Sequence, residues 1–323
     1  MSVSPPFHRA LPVALALAAL GLTGCSLRHY ATSRLGDALA ESGAGTFASD
    51  DDPELIKAAA PFSLKLMEAL LNDDPANDKL LLAASSGFTE YDYAFVEPDA
   101  DALEPTDFAG AQAIRGRARR LYLRARDYGL RGLEVRHPGF RAALAAHPAG
   151  AVANTVPADV PLLYWTAAAW GAAISVGKDT PSLLAEIPQM EALIDRSLAL
   201  DESWGDGAIH DFLITYEMSR QGVTGDPAER SRQHFERALA LAGGKQAGPY
   251  VLFAEAVCIE KQDAAQFAQL LNRALAVNPE ASPEYRLANV LMQRRARWLL
   301  SKKDDLFLNP AKPAAPERVI GSP

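Results

Sequence analysis

A cysteine near the amino terminus is the clearest candidate for chemistry in this sequence. Cys25 ends the tetrapeptide Leu-Thr-Gly-Cys, and the leucine of this tetrapeptide is the last residue of a mostly apolar run of 13 residues, Ala10–Leu22. A short apolar run with small residues before a cleavage point is typical of a secretory signal. The ending resembles a bacterial lipobox, in which the thiol receives diacylglycerol and cleavage frees an amine for another acyl chain. The sequence therefore predicts a signal peptide over residues 1–24 and a lipid anchor on Cys25.

The same segment predicts where the chain resides. An uncleaved helical anchor is the alternative, but the run is too short to span a bilayer comfortably. We expect a periplasmic protein that is tethered to a membrane rather than embedded in it. Ser26 follows the cysteine where an aspartate is linked with retention at the inner membrane. The outer membrane is therefore favoured.

Catalytic and metal-binding patterns are absent from the sequence. It contains no GxSxG, HExxH, Walker A or GxGxxG motif. The histidines that follow the signal lack metal-like spacing, so we predict no enzyme, metal site or cofactor. His210 and Glu217 lie seven residues apart on one helix face and are candidates for a polar pair near a pocket. A histidine in the core or on the surface is the plainer interpretation of His210.

Two groups of aromatic residues are candidates for lining an apolar ligand channel. Tyr91, Tyr93 and Phe95 end one predicted helix, and Tyr164, Trp165 and Trp170 lie on another. Ligand sites are usually concave and mostly apolar with few polar groups, and the tyrosine hydroxyls would supply those groups. Simple core packing is the alternative for all six rings.

The last predicted helix offers a third candidate site. It carries Arg286, Asn289 and Arg297 together with Trp298. Polar groups beside an aromatic ring can recognise a carboxylate. Helix capping and bonding between helices explain the same residues equally well.

One stretch is expected to form the centre of the fold. Residues 160–178 read VPLLYWTAAAWGAAISVGK, and no charge appears before Lys178. Pro161 suits a first helical turn. A helix that is apolar nearly all round is normally buried, and its small residues let neighbouring helices come close.

Composition limits the function classes. The chain has 323 residues, of which 49% are hydrophobic and 22% are charged, which is ample for a globular core. Its net charge of −8 excludes the basic field that nucleic-acid binding requires. With Cys25 in the anchor, Cys258 has no partner in the chain and is predicted to be a small buried side chain.

Helical periodicity continues through most of the chain, and no stretch shows strand-like alternation. We expect a linker over 25–52 with a short helix at Ser26–Ala40, a helical domain over 53–308 and a disordered tail over 309–323. Residues 97–109 are predicted to form a loop, and residues 136–159 a loop containing a short helix near Phe140–Ala146. The other predicted helices are Pro53–Leu71, Asp78–Val96, Gly110–Val135, Pro181–Leu200, Gly205–Arg220, Asp226–Leu241, Gly248–Glu260, Ala264–Val277 and Ser282–Leu300, with a possible kink at Pro188.

The predicted helix Gly110–Val135 is rich in arginine. Its arginines spread around the helix and are Arg115, Arg117, Arg119, Arg120, Arg124, Arg126 and Arg131. A solvated face that pairs with acidic residues of the chain is one interpretation. A dock for an acidic partner or for lipid headgroups is the other.

Several helix ends repeat. The sequences RSLAL, RALAL and RALAV end at residues 200, 241 and 277, which lie 41 and 36 residues apart. This spacing is close to the period of about 34 residues of tetratricopeptide helix pairs. Leu271 lies three residues before Ala274, and Phe235 and Ile194 take its place in the earlier copies. We therefore predict an all-α fold of stacked antiparallel helix pairs, a degenerate tetratricopeptide-like, α-solenoid-like array.

Several segments together resemble one known family. They are LTGC, DDPELIKAAAPFSLKLMEALL, LLAASSGFTEYDYAFV, RARRLYLRARDYGLRGLE, VPLLYWTAAAWGAAIS, HFERALAL and LANVLMQRRARWLLSKKDDLF. Across residues 25–308 the chain is similar to the T component of TRAP transporters, which are periplasmic lipoproteins with degenerate tetratricopeptide-like repeats.

The resemblance implies a function that the residues alone do not give. It implies an accessory protein that associates with the substrate-binding subunit of a TRAP importer. It also implies a self-associating, trimeric protomer with an internal apolar channel for a hydrophobic or amphipathic ligand such as a carboxylate. A helical-repeat scaffold lipoprotein for envelope assembly, without a ligand, is the alternative.

Overall fold

The computed structural model describes Gly36 and residues 45–308, and all regular structure in this part of the chain is helical. The all-α prediction is therefore confirmed. Cys25, most of the predicted helix Ser26–Ala40 and the predicted tail over 309–323 lie outside the described residues. None of the described helices combines the length and the apolar character that crossing a bilayer requires.

The described residues form two compact units. The first unit comprises residues 54–201 with the described residues before 48. Its helices are α1 (Pro53–Asp73), α2 (Asp78–Tyr91), α3 (Glu97–Leu103), α4 (Phe108–Arg136), α5 (Phe140–Ala146), α6 (Pro148–Val152), α7 (Val160–Val176), α8 (Pro181–Leu184) and α9 (Ile187–Leu200). A π-helical turn, Asp92–Val96, joins α2 to α3, and a 3-10 turn, Pro157–Asp159, precedes α7.

The second unit comprises residues 48–53 and the described residues from 202 onwards. Its helices are α10 (Ala208–Tyr216), α11 (Pro227–Ala242), α12 (Gly248–Phe253), α13 (Ala264–Ala276), α14 (Arg286–Ser301) and α15 (Lys303–Leu306). A π-helical turn, Ala254–Cys258, extends α12. Short 3-10 turns occur at Trp204–Gly207, Pro279–Ala281 and Pro283–Tyr285.

Helix α7 is the centre of the first unit, as the sequence predicts. It packs most extensively against α4 and α9, and it also contacts α2. Leu162, Leu163 and Ala167 are fully buried. Burying a leucine side chain is favourable by about 1.5–3 kcal/mol, so the apolar sequence of α7 accounts for its central position.

Two glycines set the close approach of α4 to α7. A Cβ atom on Gly129 would lie 2.1 Å from Thr166 Oγ1, and one on Gly132 would lie 2.6 Å from Leu162 Cδ2. A larger residue at either position would clash with a buried side chain of α7 and disturb this packing. The contact therefore depends on glycine in α4 as much as on the small residues of α7.

Six of the seven predicted arginines of α4 contact groups of the first unit, and Arg120 is exposed. Arg115 donates to Asp101 and Glu104, Arg119 to Thr180 and Arg126 to Glu186. The remaining contacts are Arg124 with Glu68, Arg131 with the carbonyl of Pro75, and Arg117 with the ring of Tyr91. These contacts support intramolecular pairing, the first of the two interpretations of this helix.

Several predicted helix boundaries are wrong, and three segments differ most from the prediction. Residues 97–103 form helix α3 rather than a loop, because Pro98 falls in its first turn, where a missing N–H costs nothing. Pro148 starts α6 for the same reason inside the second predicted loop. The helix predicted over Pro181–Leu200 is interrupted after Leu184, and Pro188 lies in the first turn of α9 rather than at a kink.

The repeated helix ends share one register in the structure. The residue after each repeated arginine is buried, namely Ser197, Ala238 and Ala274. The residue three positions earlier is buried in each copy as well, namely Ile194, Phe235 and Leu271. The repeat in the sequence therefore corresponds to a repeated pattern of helix packing.

Aromatic side chains form much of the core of the second unit. The ring centroids of Phe235 and Phe253 are 4.7 Å apart, and those of Phe267 and Phe307 are 4.9 Å apart. Cys258 belongs to the same core and is a buried free thiol, as predicted. Burial is the main cause that raises its pKa to about 12, so the thiol is unreactive at neutral pH.

Candidate functional site

The structure separates the first group of aromatic candidates. Phe95 is buried and its ring contacts that of Tyr91, with centroids 5.8 Å apart. Tyr93 lies between them in sequence but is 45% exposed. These three rings therefore do not share one environment.

The second group divides in a similar way. Tyr164 is buried and meets the half-buried Trp165 edge to face, with ring centroids 5.1 Å apart. Trp170 lies on a different side of α7 and is only 5% exposed. It borders a cavity of about 260 Å³ in the first unit.

The cavity beside Trp170 has both charged and apolar walls. Helices α4, α5, α7 and α9 and the turn before α9 contribute its lining residues. Its polar lining residues are Arg126, Asp127, Arg141, Glu186 and Gln189, and its apolar lining residues are Leu130, Leu144, Ala145 and Trp170. We refer to it below as the Trp170 cavity, and it is the candidate site in the first unit.

Glu186 connects two lining residues. The indole Nε1–H of Trp170 donates to Glu186 Oε2 at 2.9 Å, and Arg126 donates to the same oxygen at 2.9 Å. The Arg126 guanidinium also lies over the indole, 4.9 Å from its centroid. A cation over a tryptophan face is attracted by the ring quadrupole, so this group of three fixes the orientation of Trp170.

Asp127 completes the ionic contacts of Arg126. The Nε and the second terminal nitrogen of Arg126 donate to Asp127 Oδ1 at 3.0 and 2.9 Å. All three guanidinium nitrogens of Arg126 therefore have a carboxylate partner inside the chain. Charge-assisted bonds of this kind are stronger than neutral ones.

Arg141, another lining residue, follows the turn between α4 and α5. Gly139 adopts a positive φ of 87°, and its N–H and that of Arg141 donate to the Glu134 carboxylate. These backbone donors are the main cause that lowers the pKa of Glu134. The Arg141 guanidinium donates to the carbonyl of Asp127 at 2.8 Å. The turn thus fixes one side of the cavity.

One polar atom of the lining lacks a partner. Gln189 Oε1 is buried and accepts no hydrogen bond from the described residues. A buried acceptor without a donor costs about 1–3 kcal/mol, so this atom is a place where a bound molecule would gain a hydrogen bond.

A buried carboxyl group lies in the π-helical turn that contains Tyr93 and Phe95. Asp92 is fully buried, and neither of its oxygens accepts a hydrogen bond from the described residues. The turn brings Asp92 and Glu97 close, because the N–H of Glu97 donates to the carbonyl of Asp92. Burial, followed by the charge of Glu97, raises the pKa of Asp92 to about 8. Its carboxyl group is therefore mainly protonated at neutral pH.

The structure gives His210 and Glu217 different partners. His210 Nδ1 lies 2.9 Å from His234 Nδ1, and its Nε2 lies 3.5 Å from Glu202. Burial lowers the pKa of His210. Glu217 instead accepts from Arg220 at 3.1 Å and from Arg230 at 2.5 Å. The proposed His210–Glu217 pair is not formed.

The candidates on α14 are also not a common site. Asn289 is buried, accepting from the N–H of Ala247 and donating to the carbonyl of Lys245. Arg286 bonds the carbonyl of Ser49 and the Glu280 carboxylate. Trp298 has Arg295 over its ring at 4.3 Å, whereas Arg297 is exposed. Asn289 and Arg286 therefore connect segments of the second unit.

The described part of the chain contains no group of three or more histidine, cysteine, aspartate or glutamate residues arranged to hold a metal ion.

Sequence reasoning identified only part of the Trp170 cavity. The sequence indicates Trp170 as a candidate by its size and position, and Arg126 is one of seven arginines on the same predicted helix. Glu186 and Gln189 were not identified from the sequence. Glu186 lies in the turn between α8 and α9 and Gln189 in the first turn of α9, and the sequence pattern did not indicate this break. Asp92 was missed as well, since a π-helical turn is not visible in a helical pattern.

Comparisons with known proteins add an independent finding. A family model described as the TRAP transporter T-component matches residues 49–307. The chain is also 29% identical over 303 residues to an uncharacterized protein of Treponema pallidum (strain Nichols). That similarity covers 88% of this chain and 94% of the relative.

Proposed function

Because the chain belongs to the T-component family of TRAP transporters, we propose that it is a lipid-anchored accessory component that binds the substrate-binding subunit of a TRAP importer in the periplasm. The family match over residues 49–307 is the observation that carries this proposal. Membership supports association with a transporter and an accessory rather than an enzymatic role. The LTGC sequence at residues 22–25 supports the anchor.

A small ligand is the second part of the proposal. The Trp170 cavity supports it, because a space of about 260 Å³ that combines apolar side chains with fixed polar groups suits a small molecule. The rigid contacts among Trp170, Arg126 and Glu186 favour binding without rearrangement of these side chains. The cavity, rather than a wholly apolar channel, is the binding site we propose.

Co-purification tests the association with the substrate-binding subunit. The mature chain and the TRAP substrate-binding protein encoded beside it are produced together, and the tagged chain is isolated and passed over a size-exclusion column. We expect the two proteins to elute as one complex. A periplasmic binding protein of an unrelated transporter is the control and should elute separately.

The alternative function predicts a different result. A helical-repeat scaffold for envelope assembly would show no preference for the TRAP protein. Absence of a complex with the TRAP protein, or equal association with the control, would contradict the proposal.

Self-association is the last part of the proposal. We expect a trimer, as the family resemblance implies. We expect its lipid anchor to lie in the outer membrane rather than in the inner membrane. Light scattering of the purified mature chain gives the mass of the assembly directly. A monomeric mass would contradict the proposed self-association and leave the rest of the proposal unchanged. Separation of the two membranes on a sucrose gradient tests the location.

A further inference from the structure

The arginines between residues 115 and 131 of α4 lie in two stripes on different sides of the helix. At about 100° per residue, Arg115, Arg119 and Arg126 fall within about 40° of one another. Each of these three forms an ion pair with a carboxylate of the first unit. The other four fall within about 60° on another side, and we call them the arginine stripe, namely Arg117, Arg120, Arg124 and Arg131.

The arginine stripe faces solvent, and most of its charge is not compensated. Three of its members are exposed, and Arg131 is half-buried. Arg124 lies 3.4 Å from the Glu68 carboxylate, which is the one ion pair of the stripe within the described residues. The same carboxylate also binds Lys65. One carboxylate therefore serves two cations here, and the remaining arginines of the stripe keep their charge.

Aromatic rings hold three of these guanidinium groups in place. The distances from the guanidinium carbon to the ring centroid are 6.0, 5.4 and 5.4 Å in the pairs Arg117–Tyr91, Arg124–Phe88 and Arg131–Tyr128. The N–H groups of a guanidinium lie in its plane, so contact with a ring face positions the group without using these donors. Positioned guanidinium groups of this kind are suited to bind phosphate, which they can do with two parallel hydrogen bonds.

Arg120 shows most clearly that the stripe lacks an anion. It is exposed, and its side chain has no ion pair, hydrogen bond or ring contact within the described part of the chain. It lies three residues after Arg117 and four before Arg124, and like charges at this spacing destabilise a helix. Asp127, further along α4, binds Arg126 instead. A bound anion would relieve the repulsion among the three arginines.

The stripe lies beside the helix that the anchored segment contacts. Phe88 and Tyr91, which supply two of the rings, belong to α2, and Leu80 of the same helix packs against Gly36. Gly36 lies eleven residue positions after Cys25. The proposed lipid anchor therefore keeps α2 and the arginine stripe near a bilayer surface.

From this geometry, and resting on the proposed lipid anchor, we propose that the arginine stripe docks the first unit on the surface of an anionic phospholipid bilayer. The guanidinium groups of Arg117, Arg120 and Arg124 donate to lipid phosphate groups, and Arg131 extends the contact. A chain with a net charge of −8 is otherwise repelled by such a surface. The acyl chains on Cys25 supply attachment, and the stripe determines which side of the unit faces the lipid.

Vesicle binding by the unacylated chain tests the stripe without the anchor. The mature chain carrying Cys25→Ser is mixed with vesicles of phosphatidylcholine, with or without phosphatidylglycerol, and the bound fraction is measured by co-sedimentation. We expect binding to the anionic vesicles at low salt, and we expect high salt to abolish it because salt screens exposed charges. Equal binding to both kinds of vesicle, or no binding to the anionic ones, would overturn the proposal.

Removing the charge of the stripe tests the named residues. A triple variant should bind anionic vesicles at least about tenfold more weakly, and its changes are Arg117→Gln, Arg120→Gln and Arg124→Gln. A second triple variant removes the same charge from the second unit and should bind as the parent does, with the changes Arg297→Gln, Lys302→Gln and Lys303→Gln. An equal loss in both variants would show that net charge governs binding, and the stripe would not be the docking surface.

A single reversal of charge avoids any effect on folding. Arg120→Glu removes no contact of the described residues, so thermal stability should be retained. We expect binding to anionic vesicles to weaken by about fivefold or more, since one cation near the surface contributes about this factor. Unchanged vesicle binding in this variant would contradict the proposal.

The outcomes separate this proposal from the proposed function. If the parent chain binds neither kind of vesicle, and the stripe variant no longer co-elutes with the TRAP substrate-binding protein, the stripe docks a protein and the lipid assignment is wrong. If the wild-type chain proves to carry no acyl group while the Cys25→Ser chain binds anionic vesicles as expected, the anchor is wrong and the docking surface stands.

Discussion

At the scale of single residues, Asp92 has the environment least expected from its type. An aspartate in water is ionised at neutral pH, but this one is fully buried beside Glu97. The carboxylate of Glu97 also accepts a hydrogen bond from the buried hydroxyl of Tyr122. Glu97 therefore acts as a hydrogen-bond acceptor. Because Asp92 is protonated, two negative charges do not lie next to each other in the buried turn.

The protonated state of Asp92 predicts a pH dependence of stability. Its pKa is about 8 in the folded chain and about 3.9 in the unfolded chain, so the folded state holds a proton that the unfolded state has lost. Stability from this group is therefore full below about pH 4 and is lost as the pH rises towards 8. We expect Asp92→Asn to remove this part of the pH dependence, because the amide stays neutral. Urea unfolding between pH 5 and 9 measures it.

An exposed aspartate provides the control for that experiment. Asp51→Asn alters a surface carboxyl group of the same type and should leave the pH profile of unfolding unchanged. If Asp92→Asn and the parent chain lose stability in parallel between pH 5 and 9, Asp92 is ionised in the folded state and the assignment is wrong.

Trp170 supports a second prediction at this scale. Its side chain is 5% exposed and bonds Glu186, so Trp170→Ala removes both packing and a hydrogen-bond donor. We expect a loss of about 3–5 kcal/mol in the free energy of unfolding. Trp170→Phe keeps most of the ring contacts and should cost less. Thermal and urea unfolding of the two variants measure the difference, and a cost below about 1 kcal/mol for alanine would show that Trp170 adds little to the core.

At the scale of elements, the contact between α4 and α7 gives the sharpest prediction. Gly129→Ala places a methyl group 2.1 Å from Thr166 Oγ1, on a pair of helices that both lie in the core. Overpacking of this kind typically costs about 1–3 kcal/mol, and the close approach places this variant at or above the upper end. Urea unfolding gives the value.

The same helix contains a matched control. A Cβ atom on Gly116 would meet only the end of the flexible Arg120 side chain, at 3.8 Å. Gly116→Ala should therefore stabilise the chain by about 0.5–1 kcal/mol through helix propensity. If both substitutions stabilise the chain, α4 and α7 are not packed as closely as described.

The elements were largely predictable from sequence because their signals are local. Capping residues, prolines in first turns and apolar periodicity lie within a few positions of each helix, as with Asn77, whose side chain accepts the N–H of Leu80. Helix α3 was missed because Pro98 and its acidic neighbours suit a first turn as well as a loop. The π-helical turns were missed because they differ from an α-helix only by one hydrogen-bond step.

The candidate site was less predictable than the helices for a physical reason. The Trp170 cavity depends on side chains from separate elements, and their pairing follows from tertiary packing. Trp170 stands out by size, but Gln189 is one polar residue among many on a helix. Arg141 reaches the cavity only because Gly139 turns the chain after α4. The spacing of these residues in the sequence does not indicate that they line the same cavity.

At the scale of the whole molecule, the path from the predicted anchor to the body is short. Gly36 packs against Leu80 of α2, where a Cβ atom would lie 2.5 Å from Leu80 Cδ1. Gly36 lies eleven residue positions after Cys25. A chain of that length spans at most about 40 Å when fully extended. An acylated Cys25 would therefore keep the first unit close to the membrane surface.

Membrane fractionation tests the anchor. We expect Cys25→Ala to prevent acylation and to leave the chain in the periplasmic fraction or as an unprocessed precursor. Cys258→Ala, which alters the buried thiol instead, should still fractionate with the membrane. A cleaved Cys25→Ala chain that stays with the membrane would show that another segment attaches it.

The π-helical turn between α2 and α3 also bears on how related chains differ in length. A turn closed by a bond to the fifth residue holds one residue more than an α-helical turn. Loss of one residue from Asp92–Val96 would convert the turn to α-helix. The buried faces of α2 and α3 would keep their orientation relative to each other. Loss of one residue within α2 would rotate all later positions by about 100°. Single-residue gaps in alignments of homologues should therefore concentrate in this turn. A homologue shortened there by one residue should lack an acidic residue at the position of Asp92.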